Sequence, residues 1–167
     1  MAHAADPDAL LFYNDYNAEG MNAKSDAIYE MLKELKAKGV PIDGVGLQMH
    51  TSAYFTPGAD EIRQNIQRLG ELGLQVHITE MDVALPVDSN GNASARDLQR
   101  QADLYGQIAS ACRSHPGCTA FQTWGFTDKY SWIGWHSNGT EGAALLFDRN
   151  YLPKPAYRAV RNALGGR

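Results

Sequence analysis

Apolar residues recur along the chain with two periods, one typical of strands and one typical of helices. Four short segments rich in apolar and β-branched residues are predicted strands: 10–16, 44–50, 75–83 and 119–125. Four longer segments carry apolar residues at i, i+3, i+4 and i+7 and are predicted helices: about 22–38, 59–72, 95–114 and 154–164. Because a helix follows every strand, the pattern indicates a parallel βα sheet. No linker or shift in composition divides residues 1–167, which predicts a single unit.

The strands separate their residues by face. In the second strand, one face carries Val45, Leu47 and Met49, and the other carries Gly44, Gly46, Gln48 and His50. The first face suits packing under helices, and the second suits the narrow interior of a βα barrel. The third strand repeats this pattern, with Val76 and Ile78 low on one face and Glu80 and Asp82 above them. Since chemistry in βα barrels sits at the C-terminal strand ends, this end of the sheet is the predicted site.

Glu80 is the leading candidate for a reactive group. It lies late in a β-branched strand, where a carboxylate is desolvated unless it has a partner or a task. Asp82 shares its face, and His50 ends the preceding strand at a matching depth. An imidazole between two carboxylates keeps both ionised and orients the reacting one. A structural His–Asp pair with a merely solvated Glu80 explains the same spacing equally well.

Aromatic and amide side chains cluster at the same end of the predicted sheet. The aromatic residues at or just beyond the strand ends are Tyr13, Tyr16, Tyr54, Trp124, Tyr130, Trp132 and Trp135, and the amides beside them are Asn14, Asn17, Gln48 and Gln122. Such a rim suits a sugar polymer, because pyranose C–H faces stack on rings while hydroxyls bond to amides and acids. For any single aromatic residue, ordinary packing remains the alternative.

Composition narrows the choice of function. The chain has 167 residues, of which 44% are hydrophobic and 20% charged, as in a typical globular domain. Its net charge of −4 and its scattered basic residues argue against a nucleic-acid surface. No apolar run is long enough to span a membrane, and the N-terminus lacks the pattern of a signal peptide. No spacing of side chains implies a metal or organic cofactor.

Four segments together resemble the last four strands of the family 10 glycoside hydrolases, which are endo-β-1,4-xylanases built on a TIM barrel. These segments are 14–17 (NDYN), 46–50 (GLQMH), 78–82 (ITEMD) and 124–132 (WGFTDKYSW). The stretch from 145–148 (LLFD) to 154–157 (KPAY) is similar to the C-terminal segment of that family. The resemblance implies an α/β fold, namely the C-terminal (βα)4 half of a TIM (β/α)8 barrel.

The resemblance also implies roles for individual residues. Glu80 matches the catalytic nucleophile, and His50 and Asp82 match its supporting hydrogen-bond partners. The implied substrate-binding residues for xylan or xylo-oligosaccharide are Asn14, Tyr16, Gln48, Trp124 and Trp132. Cys112 and Cys118 match a disulfide that secreted members often carry, with a pair of free thiols as the alternative. An extracellular location is implied by the resemblance alone.

Half of the family's barrel has no counterpart in this chain. The absent half includes the Asn-Glu motif of the general acid/base, and retaining hydrolysis needs both carboxyl groups. Glu19 is the least unlikely substitute, although a capping or solvated role fits it better. A half barrel leaves two sheet edges uncovered, so we expect a second half-barrel as partner, either a second copy or an N-terminal fragment. The alternatives are a non-catalytic xylan-binding module and a structural half-barrel that assembles as a dimer.

Overall fold

The structure is a computed structural model that describes residues 1–165 of the chain. The predicted unit extends to residue 167, and its last two residues lie outside the described range. The helices are α1 (Ala2–Ala5), α2 (Ala23–Ala37), α3 (Ala59–Glu71), α4 (Ala95–Arg113), α5 (Ile133–His136) and α6 (Pro155–Ala163). The strands are β1 (Phe12–Asp15), β2 (Gly44–Leu47), β3 (His50–Ser52), β4 (Gln75–Pro86), β5 (Cys118–Thr123) and β6 (Glu141–Gly142), and a 3₁₀ turn covers Asp128–Tyr130.

The strands form the predicted parallel sheet. Its order is β1-β2-β4-β5, and β3 adds to β4 beyond the end of β2. Phe12 pairs with Gly44 across β1 and β2, and Gly44 pairs with Gln75 across β2 and β4. Within residues 1–165, the outer edges of β1 and β5 pair with no other strand of the path. The sheet is therefore open at both ends of its strand order, as expected for half of a barrel.

One face of the sheet packs under the helices. Its strands contribute buried apolar side chains, and α2, α3 and α4 contribute the side chains that cover them: Leu32, Ile62, Ile66, Leu69, Tyr105 and Ile108. The helix starts follow local capping rules, because the Asn22 side chain accepts a hydrogen bond from the Ser25 N–H at the start of α2. Pro155 occupies the first turn of α6, where its missing N–H costs nothing.

On the opposite face of the sheet, two glycines of β2 leave space that side chains of β1 occupy. A Cβ on Gly44 would lie 2.1 Å from the ring of Phe12, and a Cβ on Gly46 would lie 2.2 Å from the Asn14 carboxamide oxygen. The Phe12 and Asn14 side chains therefore lie across β2 at these two glycines. The Phe12 ring reaches His77 on β4, with a centroid distance of 4.2 Å.

The predicted second strand, 44–50, is two strands in the structure. Met49 has a φ of +66°, which ends β2 before it, and the chain resumes as β3 at His50. A non-glycine residue in this left-handed region is uncommon and interrupts strand pairing. The interruption was not visible in the alternation of apolar residues, because Met49 is buried as the pattern expects.

The predicted face assignment of the third strand was wrong. Val76 and Ile78 are fully buried under the helices, but so are Met81 and Val83, which shifts the alternation by one residue. The pairing of β4 with β5 changes register between Ile78 and Met81. This irregularity places Glu80 and Asp82 on the face opposite Val76, as a β-bulge does when it re-aims a side chain.

Other boundaries differ modestly from the prediction. β4 continues to Pro86, because β6 pairs with it antiparallel at Leu85 and Gly142. β5 ends at Thr123, so Trp124 lies just beyond the strand.

The predicted disulfide is confirmed: Cys112 at the end of α4 is bonded to Cys118 at the start of β5. Between residues 1 and 165, no helix has the length and apolar content that a bilayer crossing requires.

Candidate active site

Glu80 on β4 is held by side chains from two other strands, β1 and β3. Its Oε1 accepts a hydrogen bond of 2.8 Å from the Asn14 carboxamide, and its Oε2 lies 3.3 Å from Nε2 of His50. The Thr79 hydroxyl donates to the Asn14 carboxamide oxygen at 2.8 Å, which turns the amide nitrogen toward Glu80. Both carboxylate oxygens are thereby fixed at the C-terminal end of the parallel sheet, where catalytic groups of βα folds lie.

His50 connects Glu80 to a fully buried second carboxylate. Its Nδ1 lies 3.1 Å from Oδ2 of Asp82, and Nε1 of Trp132 donates to the same oxygen at 2.7 Å. Burial disfavours the charged ring, but the hydrogen bonds and negative charges of Asp82 and Glu80 outweigh it and raise the pKa of His50. Each nitrogen of the His50 ring lies beside a carboxylate. Both nitrogens must carry a proton if both carboxylates accept a hydrogen bond, so the site favours the imidazolium form of His50.

The two tryptophans flank the His50 ring. Trp132 is half-buried and packs edge-on against His50, with a centroid distance of 5.2 Å. Trp124 is half exposed and approaches the same ring at 6.4 Å. The structure therefore brings both predicted aromatic residues to the Glu80 end of the sheet. Their exposed surface provides rings beside a carboxylate, which suits a pyranose.

Two other predicted sugar-binding residues make contacts of a different kind. Tyr16 is exposed just after β1, and the Lys24 ammonium lies 3.9 Å from its ring centroid. Gln48 contributes its backbone: its N–H donates to the Asp15 carbonyl, and its carbonyl accepts from the Glu80 N–H, both at 3.0 Å. The Gln48 carboxamide makes no hydrogen bond within the part of the chain that the structure describes.

Some of the predicted aromatic rim serves other contacts. Tyr13 lies within β1 and donates to the Asp15 carboxylate at 2.7 Å. Tyr54 donates to Asp97 on α4, with the Arg100 guanidinium over its ring. The packing alternative is therefore the better interpretation of Tyr13, whereas Tyr54 is an exposed residue held by Asp97 and Arg100.

Glu19 lies in the loop after β1 and is almost completely buried. Its carboxylate accepts a hydrogen bond of 3.0 Å from the Met49 N–H, and burial raises its pKa. It lines a cavity of about 390 Å³ together with His50, Thr51 and Phe55. This carboxylate makes no hydrogen bond to Glu80, so the structure gives it a backbone-binding role.

Two polar residues of α4 were missed by the sequence analysis. Gln101 donates to the carbonyls of Val83 and Ala143, and the Tyr105 hydroxyl donates to the Ala144 carbonyl at 2.9 Å. These hydrogen bonds connect residues 143–144, which follow Trp132 in the chain, to β4, the strand that carries Glu80. The available signal was their spacing, because a buried polar residue on the apolar side of a helix needs a partner.

A buried ion pair lies next to residues 143–145 and also holds them in place. Nζ of Lys154 lies 3.0 Å from Oδ2 of Asp128, and both side chains are almost fully buried. Asp128 also accepts a hydrogen bond of 2.7 Å from the Leu145 N–H. Burial raises the pKa of Asp128 and lowers that of Lys154, and their mutual attraction opposes both shifts.

Comparison with known sequences gives one family. The model of Glycosyl hydrolase family 10 matches residues 1–163. Endo-1,4-beta-xylanase B of Thermotoga neapolitana is 48% identical over 163 residues, which are 98% of this chain and 46% of that protein. Endo-1,4-beta-xylanase B of Neocallimastix patriciarum is 42% identical over 98% of this chain and 17% of that protein.

Solved structures agree with the sequence comparison. Native xylanase 10B from Thermotoga maritima has a TM-score of 0.91 and 48% identity, covering 98% of this chain and 49% of that one. Xylanase 10B from Thermotoga petrophila RKU-1, solved with xylobiose, has the same score and identity over 97% of this chain and 48% of that one. The chain thus spans about half the length of these two structures. By family match, sequence identity and fold, it belongs to glycosyl hydrolase family 10, of whose (β/α)8 barrel it represents a (βα)4 part.

Proposed function

We propose that this chain supplies the nucleophile half of an endo-1,4-β-xylanase that hydrolyses xylan with retention. The observation that carries the proposal is the Glu80 carboxylate, which Asn14 and His50 hold at the C-terminal end of the sheet. The family membership and the xylanase names of the relatives support the reaction type. The activity of the whole enzyme requires groups beyond the described residues.

In the proposed reaction, Glu80 attacks the anomeric carbon of a xylose unit as the glycosidic bond breaks. A second carboxyl group, about 5–5.5 Å away in retaining enzymes, protonates the leaving oxygen. Water then attacks the glycosyl–Glu80 ester, and the second carboxylate takes its proton. His50 orients Glu80 through the contact of its Nε2 with the carboxylate, and Asp82 holds the other ring nitrogen in place.

The proposed sugar contacts are Asn14, Tyr16, Gln48, Trp124 and Trp132. Trp124 and Tyr16 support this role through their exposed rings, and Trp132 through its position against His50. Asn14 already bonds to Glu80 and can bond to a sugar hydroxyl beside it. The Thermotoga petrophila relative was solved with xylobiose, which supports a xylo-oligosaccharide as ligand.

The proposed partner is a second half-barrel that brings the acid/base carboxyl group. The open edges of β1 and β5 support a partner, because closing the barrel pairs both with new strands. In this proposal residues 1–167 act as one unit, and the partner is either an N-terminal fragment or a second copy. The first choice supplies the missing acid, whereas a second copy adds another Glu80.

We propose an extracellular location for the enzyme. The Cys112–Cys118 disulfide supports it, since disulfides persist mainly in oxidising compartments. A relative from Thermoanaerobacterium saccharolyticum is described as an intracellular xylanase, so family membership does not determine the compartment.

The test separates the nucleophile from the missing acid. The chain is incubated with 2,4-dinitrophenyl 2-fluoro-xylobioside, whose leaving group needs no protonation, and is then examined by native mass spectrometry. We expect one label per chain, no label in Glu80→Gln, and normal labelling in Glu71→Gln, a matched change on the exposed side of α3. The same spectrum gives the number of chains in the assembly.

A folded chain that stays unlabelled would contradict a preformed nucleophile site. If that chain still binds xylobiose, the binding-module alternative replaces the proposal, and if it binds no sugar, the structural alternative does. Adding the first four strands of the Thermotoga neapolitana xylanase as a separate fragment should restore xylan hydrolysis. A closed complex without hydrolysis would overturn the proposed division of the enzyme into two halves.

A further inference from the structure

Met49 has an unusual backbone at a critical place in the site. Its φ of +66° lies in the left-handed region, and its side chain is 1% exposed. A bulky residue holds this conformation only where its surroundings impose it. The next residue is His50, so the turn at Met49 sets the direction from which the imidazole enters the site.

The backbone around Met49 connects Glu19 to the strand that bears the reactive carboxylate. The Met49 N–H donates to Oε1 of Glu19 at 3.0 Å, and its carbonyl accepts from the Asp82 N–H at 3.3 Å. The preceding carbonyl, of Gln48, accepts from the Glu80 N–H at 3.0 Å. The N–H of Met49 is therefore bonded to a side-chain carboxylate and not to a neighbouring strand, whereas its carbonyl is still bonded to β4.

Glu19 is itself fixed from beneath by α3. The buried Asn65 carboxamide donates to the carbonyls of Ala18 and Glu19, at 2.7 and 3.1 Å. Burial raises the pKa of Glu19, while the Met49 N–H and the positive charge of His50 favour its ionised form. A carboxylate that is 4% exposed is costly unless such donors bind it. No step of the proposed reaction accounts for this carboxylate.

We propose that Glu19 is a positioning residue: its carboxylate holds Met49 in the left-handed conformation and thereby places His50 between Glu80 and Asp82. The inference rests on the proposed function only for the role of Glu80, since the contacts themselves need no substrate. The charged groups that face His50 are Glu80 and Asp82 on β4 and Glu19 in the loop after β1.

The test uses the isotope-labelled 167-residue chain without sugar and follows two NMR signals. Glu19→Leu removes the acceptor, so the Met49 amide should exchange about tenfold faster or more, and the His50 Nδ1–H signal of the Asp82 hydrogen bond should be lost. Glu19→Gln keeps an acceptor of the same shape without charge. It should preserve Met49 protection while moving the His50 ring titration to lower pH. Glu61→Leu changes a carboxylate that lines the same cavity but bonds to Gly58, and Met49 protection should remain.

Unchanged Met49 exchange and unchanged His50 signals in Glu19→Leu would overturn the inference, as would the same losses in Glu61→Leu. Protection of the Leu32 and Ile66 amides reports whether each variant is folded. If Glu19→Leu does not fold, Glu19→Ala, which also removes the acceptor, decides: unchanged Met49 exchange and unchanged His50 signals in that variant overturn the inference. Because neither signal depends on sugar chemistry, failure of the labelling experiment leaves this test intact.

Discussion

Asn14 reaches Glu80 across an intervening strand. Its carboxamide donates to Glu80 at 2.8 Å, although β2 lies between β1 and β4 in the sheet. Gly46 is the residue of β2 that they cross, and any Cβ there would meet both Asn14 and the Thr79 methyl group, at 2.2 and 2.9 Å. The absence of a side chain at Gly46 is therefore part of what orients the proposed nucleophile.

Replacing Asn14 by Ala should slow labelling of Glu80 by the fluorinated xylobioside about 10- to 100-fold. The substitution removes a hydrogen bond to a charged group, worth about 1.5–3 kcal/mol. Stability to urea should change by less than about 0.5 kcal/mol, because Asn14 is exposed. Gln99→Ala, an exposed amide on α4, is the control, and equal rates in both variants would contradict a role for Asn14.

Gly46→Ala should destabilise the chain in a way that depends on Asn14. The new methyl group displaces the Asn14 side chain, at a cost of about 1–3 kcal/mol by overpacking. In the Asn14→Ala background that cost should fall by at least about 0.5 kcal/mol, since the displaced atoms are gone. A double-mutant cycle from urea unfolding measures the difference, and strictly additive losses would disprove the crossing at Gly46.

The stability of the chain should depend on pH through His50. Its pKa is raised in the fold, so its stabilisation is complete below the unfolded value of about 6.5 and is lost as pH rises through the folded value. Unfolding free energies of the chain and of His50→Asn should converge above that value. His77 should affect stability in the opposite direction. Because burial lowers its pKa, His77 destabilises the chain increasingly as pH falls, and His77→Asn should remove that loss. A His50→Asn difference that persists undiminished at high pH would refute the assignment.

Trp132→Phe should cost about 1–3 kcal/mol of unfolding free energy. An aromatic ring remains, but the fully buried Asp82 loses an N–H donor at 2.7 Å, and His50 is then its only side-chain partner among residues 1–165. Trp124→Phe is the matched change, and we expect less than about 0.5 kcal/mol because Trp124 is half exposed. Similar losses for both tryptophans in urea denaturation would show that the Asp82 hydrogen bond is not the cause.

Asp128→Asn should destabilise the chain by about 3–5 kcal/mol, because the buried Lys154 ammonium loses the carboxylate with which it forms its ion pair. Adding Lys154→Met should recover part of the loss by removing that charge. Glu34→Gln breaks an exposed pair with Lys38 and serves as the control, with an expected change below about 0.5 kcal/mol. Thermal and urea unfolding measure these differences, and no recovery in the double variant would argue against the buried charge as the cause.

The sequence by itself determined the strand and helix order and the residues that meet at one end of the sheet. Both follow from local rules, since burial periodicity assigns the elements and parallel strands bring their C-terminal ends to the same edge. Glu80, His50 and Asp82 were therefore predicted to be neighbours, and their contacts in the structure agree. The Cys112–Cys118 bond came from the family resemblance and is present.

Only the tertiary structure decided how the site is oriented. The register change in β4 and the turn at Met49 each shift side chains to another face, and alternation along a strand cannot predict where it will be broken. The contacts that stabilise these breaks join residues far apart in the chain, such as Glu19 with Met49 and Asn14 with Glu80. They exist because buried N–H and carboxylate groups must find partners once the sheet has formed, and no local pattern specifies which partner is nearest.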